Sequence, residues 1–120
     1  MMFATKMLVL MFGFAGSIGT ATVEGTLSKD EIRDVVRAHI DEVRVCYNAA
    51  LKVDPQAQGR VEFDFTIGTE GAVTEASVKS STMKDTAAPV CIRDAIKTWK
   101  FPKPQGGSVA VTYPFLLEPG

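Results

Sequence analysis

The stretch Gly59–Ile67 reads GRVEFDFTI, in which apolar and polar residues alternate strictly. Its apolar members are Val61, Phe63, Phe65 and Ile67. Alternation with a period of two is typical of a strand with one buried face. Turn residues follow at Gly68–Gly71, and Val73–Lys79 then returns with a poorer alternation that indicates a bulge. These segments predict a β-hairpin.

An amphipathic helix is predicted on each side of this hairpin. In the first, Ser28 and Glu31 have the spacing of a capping box, and an apolar stripe continues to Leu51. Asp54-Pro55 ends this helix, because the residue before proline avoids the helical conformation. The second helix is predicted from about Thr86 to Lys100, with an apolar stripe that includes Trp99 and predicts core packing for it.

A last strand is predicted over Val109–Phe115, where apolar residues again alternate. Pro114 lacks a backbone donor and therefore favours an edge position in a sheet. The order α-β-β-α-β predicts an α+β fold, with a three-stranded antiparallel sheet and both helices on one face.

Composition narrows the class of function. The chain has 120 residues, a formal net charge of −1, one histidine and two cysteines. Its length fits one domain, and its charge gives no general attraction to nucleic acid. No nucleophile motif, phosphate-binding loop or metal-ligand cluster stands out, so we expect no enzyme activity, no small-molecule substrate, no cofactor and no metal.

The first 21 residues are interpreted as a secretory signal peptide. Lys6 precedes the uncharged run Met7–Ile18, which is shorter than the roughly 20 apolar residues that span a bilayer. Small residues at Gly19-Thr20-Ala21 predict cleavage after Ala21, leaving one domain over 22–120 with its core at about 27–117. The alternatives are a short uncleaved anchor and a mis-assigned start codon. Membrane contact is expected only through this segment.

The two cysteines, Cys46 and Cys91, both fall on predicted apolar helix stripes, so both sulfurs are expected to face the core. In an oxidising compartment a disulfide between them is the leading interpretation. Two buried free thiols, or a metal site formed with His39, are the alternatives. His39 is expected to lie in the core or at its boundary, bonded to a backbone carbonyl.

An ordered set of short motifs carries a family resemblance. The set comprises Cys46-Tyr47, Gly59–Phe63, Gly71–Val73, Ser80–Thr82, Cys91-Ile92, Trp99–Pro102 and Tyr113–Phe115. Together they resemble the C-terminal domain of AgmX/PglI-type gliding-motility proteins, itself similar to the TonB C-terminal domain. The resemblance covers about Leu27 to Leu117 and implies a TonB/TolA C-terminal-like fold. The family's paired cysteines match Cys46 and Cys91.

The resemblance implies a periplasmic protein-interaction module. TonB-type domains sit at the end of a proline-rich arm, pair a strand with a segment of an outer-membrane receptor, and transmit force from the inner membrane. The sequence departs from that pattern because it shows no proline-rich arm, and we therefore do not expect a complete energy transducer. A role in gliding motility or in transport across the envelope follows as an expectation.

The predicted partner-binding element is the last strand, taken as an unpaired sheet edge. Its candidate residues are Val109, Val111, Thr112, Tyr113 and Phe115. An extended segment of an envelope protein or peptide could add to such an edge through backbone hydrogen bonds. The alternatives are an edge covered by the chain's own N-terminal stretch or by a second copy in a homodimer. A small exported enzyme or metal-binding protein, and a purely structural envelope component, are the other functional readings.

Overall fold

The computed structural model describes residues 7–11 and 22–119. The strands are β1 (Met7–Met11), β2 (Thr22–Glu24), β3 (Gly59–Ile67), β4 (Val73–Ser81) and β5 (Val109–Pro119). The helices are α1 (Lys29–Ala38), α2 (Ile40–Val53) and α3 (Ala87–Ile96). The predicted α+β class is confirmed. The predicted cleavage position at Ala21 lies outside the described residues, immediately before the first residue of β2.

The strands form one antiparallel sheet in the order β1-β5-β3-β4, and β2 also pairs with β5. Its three long strands, β5, β3 and β4, are the predicted antiparallel sheet. The two short strands were not predicted. Of these, β1 falls within the apolar run that was interpreted as a targeting segment.

The predicted hairpin of β3 and β4 is present, and its register runs from Val61 opposite Ser81 to Ile67 opposite Val73. Two register shifts interrupt it, so the expected irregularity of β4 is present. The turn closes where the Gly68 amide donates to the Ala72 carbonyl over 2.7 Å.

The core lies between one face of the sheet and the helices. Every second residue of β3 from Val61 to Ile67 is buried, and the buried positions of β5 lie opposite them in register. The helices contribute Ile32, Val36, Val43, Tyr47, Ile92 and Ile96. Trp99 is 1% exposed, which confirms that it packs in the core. One contiguous core therefore joins the two layers.

The first predicted helix is interrupted at His39. Here φ is −109° and ψ is 14°, outside the α-helical range, and the Glu42 amide donates to the His39 carbonyl in a tighter i−3 turn. The second predicted helix ends at Ile96 and not at Lys100, because the Thr98 and Trp99 amides likewise donate three residues back. None of the helices within residues 22–119 is long and apolar enough to cross a membrane.

Candidate partner-binding edge

The last strand, β5, is not an unpaired edge. On one side it pairs with β3 over Val109–Leu117, and on the other with both N-terminal strands. The prediction that this strand lies bare at the sheet edge is therefore wrong. The alternative in which the chain's own N-terminal stretch covers the edge describes the structure better.

The cover on the outer side of β5 consists of two separate parts. The first is β2, whose three residues pair with Ala110–Thr112. The second is β1, whose five residues pair with Phe115–Pro119, from Met11 opposite Phe115 to Met7 opposite Pro119. Both run antiparallel to β5, so together they follow a single line along its outer edge.

Pro114 lies between the two parts of this cover. Tyr113 and Pro114 are the residues of β5 that lie between the ladder of β2 and the ladder of β1. A proline cannot donate to a ladder and is normally confined to edges, strand starts and bulges. Among the described residues, this gap is a local edge within an otherwise paired strand, and it reconciles Pro114 with the interior position of β5.

The predicted site residues differ in what they could offer a partner. Val109, Val111, Tyr113 and Phe115 are all at most 2% exposed on the helix-facing side. Burial raises the pKa of the Tyr113 phenol, which stays neutral at physiological pH. Thr112 faces away from the helices, is half-buried, and donates its hydroxyl to the Asp64 carboxylate. Side-chain recognition by the four buried residues is therefore excluded, and only their backbone is suited to contact another strand.

The accessible side chains at this edge belong to residues that follow the predicted site. Leu116 and Glu118 are half-buried and lie on the sheet face opposite the core, because they alternate with buried Phe115 and Leu117. The predicted last strand ended at Phe115 and did not include them. The apolar character of Leu116 and Leu117 was the available signal, although Pro114 before them interrupts the pattern.

The opposite edge of the sheet is formed by β4. In the described residues this strand pairs with β3 alone. Its two register shifts fall between Glu62 and Phe63 and between Thr66 and Ile67 of the partner strand. Its exposed positions are polar: Thr74, Glu75, Ser77, Lys79, Ser80 and Ser81. Bulges and a lysine on an edge are the usual protection against pairing with another chain, so β4 is the less suitable edge.

Cys46 and Cys91, the pair named from the sequence, are joined by a disulfide that links α2 to α3. The Sγ–Sγ distance is 2.03 Å and the Cα atoms are 5.7 Å apart. Cys46 is 4% exposed, as expected, but Cys91 is exposed, so the expectation that both face the core is wrong for Cys91. Cys91 borders a groove of about 360 Å³ lined by Ala49, Ala50, Val53, Ala87 and Ala88. The disulfide thus links α2 to α3 at the outer surface of the helix layer.

His39 is half-buried at the core boundary, as expected, but its hydrogen-bond partner differs from the expected one. Its Nδ1 lies 2.7 Å from the Glu42 carboxylate, and its ring stacks on Trp99 with centroids 4.9 Å apart. Glu42 also accepts from Trp99 Nε1 over 2.9 Å. These bonds, chiefly that to His39, lower the pKa of Glu42. The expected bond to a backbone carbonyl is replaced by this cluster, which ties the helix break to the segment after α3.

The described residues contain no group of three or more His, Cys, Asp and Glu side chains placed to hold a metal ion. The sulfurs of Cys46 and Cys91 are bonded to each other, which removes them as ligands together with His39.

Comparison of the chain with protein-family models, with curated proteins and with solved structures finds no match.

Proposed function

We propose that this protein is an exported, periplasmic protein-interaction module of the TonB/AgmX type, acting by binding and not by catalysis. Its partner is an extended segment of an envelope protein, which adds as a strand to the outer edge of β5 at Phe115–Pro119. The binding site is thus shifted toward the C-terminal half of β5, away from the part that β2 covers. A role linked to gliding motility or envelope energy transduction follows from the resemblance to the TonB/AgmX type.

One observation carries this proposal: the edge at Phe115–Pro119 accepts a five-residue antiparallel strand, β1, over its full length. An edge that can form such a ladder with one apolar segment offers the same backbone donors and acceptors to another. Cleavage after Ala21, as the sequence predicts, would remove β1 and retain β2. The edge at Phe115–Pro119 would then be open while the edge at Ala110–Thr112 stayed paired.

The disulfide supports the proposed compartment. Disulfides persist in oxidising compartments such as the bacterial periplasm and are rare in the cytosol. The Cys46–Cys91 bond joins segments 45 residues apart in the chain. Together with the signal-like N-terminal run, it favours function outside the cytosol.

Site-specific photo-crosslinking in cells tests the proposal. A photoreactive amino acid placed at Leu116 or Glu118 reports contacts at the outer edge of β5, on the accessible sheet face. The same group at Ser77, an exposed position of β4, is the matched control on the opposite edge. We expect a discrete crosslinked envelope protein from Leu116 and Glu118 and none from Ser77.

Two results would contradict the proposal. Equal crosslinking from both edges would mean that strand addition at β5 is not the mode of contact. Crosslinking at Ser77 alone would assign partner binding to β4 despite its bulges.

A further inference from the structure

We infer that β1 occupies the partner site within the chain itself, and that the leader therefore blocks the site until it is removed. The sequence of β1 also indicates which residues a partner segment needs. This inference rests on the proposed function of the β5 edge. It adds the regulation of that edge and the chemistry of the segment that binds there.

The positions of the two N-terminal strands support the inference that cleavage opens the site. β1 and β2 occupy neighbouring sections of one edge, and the predicted cut after Ala21 falls between them, directly before Thr22 of β2. Cleavage would therefore divide the cover at the boundary between its two parts. A site formed in this way is closed in the precursor and open in the processed protein.

The register of β1 against β5 indicates which residues a partner segment needs. Val9, Leu10 and Met11 lie opposite Leu117, Leu116 and Phe115, respectively. Directly opposed residues on neighbouring strands interact, so three consecutive apolar residues in the partner suit this part of the edge. The position before Val9, which Leu8 holds in the leader, lies opposite Glu118.

Glu118 distinguishes the partner from the leader. A half-buried carboxylate opposite an apolar residue gains no charge pairing, whereas a lysine or arginine at that position would form a cross-strand ion pair. The favoured partner is thus an extended antiparallel segment with a basic residue followed by three apolar ones. Such a segment would bind the open edge more tightly than an untethered copy of β1, which lacks the basic residue.

The test compares the full chain with two proline variants. Val9→Pro interrupts β1, and Ala15→Pro places a proline in the leader outside β1 as the matched control. Amide hydrogen exchange is followed at Phe115–Glu118 and, as an internal reference, at Ala110–Thr112 beneath β2. We expect protection to fall at least about ten-fold in Val9→Pro alone, at those amides of Phe115–Glu118 that point toward β1. The alternate amides, which point toward β3, and the reference amides should be unchanged.

Binding is measured by fluorescence anisotropy with a labelled probe peptide, MLVLM flanked by lysines. A tethered strand competes at an effective concentration in the millimolar range, so the probe should bind Val9→Pro about ten-fold or more tightly than the full chain or Ala15→Pro. A second probe, MKVLM, places lysine opposite Glu118 and should bind up to about five-fold more tightly than MLVLM, and MEVLM more weakly.

The outcomes separate the inference from the proposed function. Unchanged exchange in Val9→Pro means that β1 does not cover the edge, which overturns the inference and leaves the crosslinking test of the function intact. An opened edge that binds neither MLVLM nor MKVLM overturns the assigned partner chemistry. If Val9→Pro also loses protection at Ala110–Thr112, the variant has lost more than β1. The full chain cut after Ala21 by leader peptidase is then used in place of Val9→Pro, and its hydrogen exchange and probe binding are compared with those of the uncut chain.

Discussion

Removal of the disulfide between Cys46 and Cys91 should destabilise the domain strongly. The bond closes a loop of 45 residues, for which the chain-entropy model gives about 4 kcal/mol. A domain of this size has a total stability of about 5–15 kcal/mol, so the reduced protein should lie close to its unfolding limit. With a urea m-value of about 2 kcal/mol per molar, the midpoint should fall by about 2 M.

The assay compares oxidised and reduced wild-type protein by urea titration, because reduction keeps both sulfur atoms and removes only the crosslink. The Cys46→Ala/Cys91→Ala variant, titrated with and without reductant, is the control and should not respond to it. Since Cys91 is exposed, a mild thiol reductant should reach the bond in the folded protein. A difference below about 1 kcal/mol between the oxidised and reduced forms would refute the view that this bond sustains the fold.

The turn and the helix break give further predictions. Gly71 has a φ of +90° and a Cβ there would collide with the Phe101 carbonyl oxygen, so Gly71→Ala should lower the free energy of unfolding by about 2 kcal/mol or more, measured by urea titration. Gly107 has a φ of +116° and open space around it, so Gly107→Ala measures the effect of the backbone conformation without a clash and should lower the free energy of unfolding by less. Equal losses in the two variants would contradict the clash at Gly71. Glu42 has a lowered pKa in the folded state, so its stabilising effect is present above its unfolded pKa of about 4.5 and is lost as pH falls through the folded value. Glu42→Gln should flatten this acid dependence in thermal melts from pH 3 to 7, and an unchanged profile would exclude the carboxylate as its source. Trp99→Phe removes the donor to Glu42 and part of a buried ring, and should lower the melting temperature at neutral pH; a melting temperature equal to that of wild type would show that neither contact matters.

Local patterns predicted the elements whose signals lie within a few residues of each other. The alternation of Gly59–Ile67 gave the strand and its buried face, and Ser28 with Glu31 gave the capping box, in which the Ser28 hydroxyl accepts from the Glu31 amide at 3.1 Å. The bulged return of β4 was also visible, because its apolar residues change phase.

The features that could not be predicted from the sequence depend on contacts between residues that are far apart in the chain. The helix break at His39 goes with a stack on Trp99, sixty residues later in the chain, and no local pattern predicts such a partner. The pairing of β1 with β5 joins Met7 to Pro119, and a five-residue apolar run looks the same whether it targets a chain for export or pairs in a sheet. Cys91 lies at a position where helical spacing alone does not distinguish the margin of a buried stripe from its centre.

The final strand in the sequence lies inside the sheet, between β3 and the two N-terminal strands. During synthesis, therefore, β1 and β2 have no neighbour in this sheet until β5 has been added. A nascent chain can form its hairpin and helices, but β5 must be made before it can pair with β3 or with the N-terminal strands. Such an order delays completion of the sheet until β5 has been made, and it suits any route that carries a polypeptide across a membrane in an extended state.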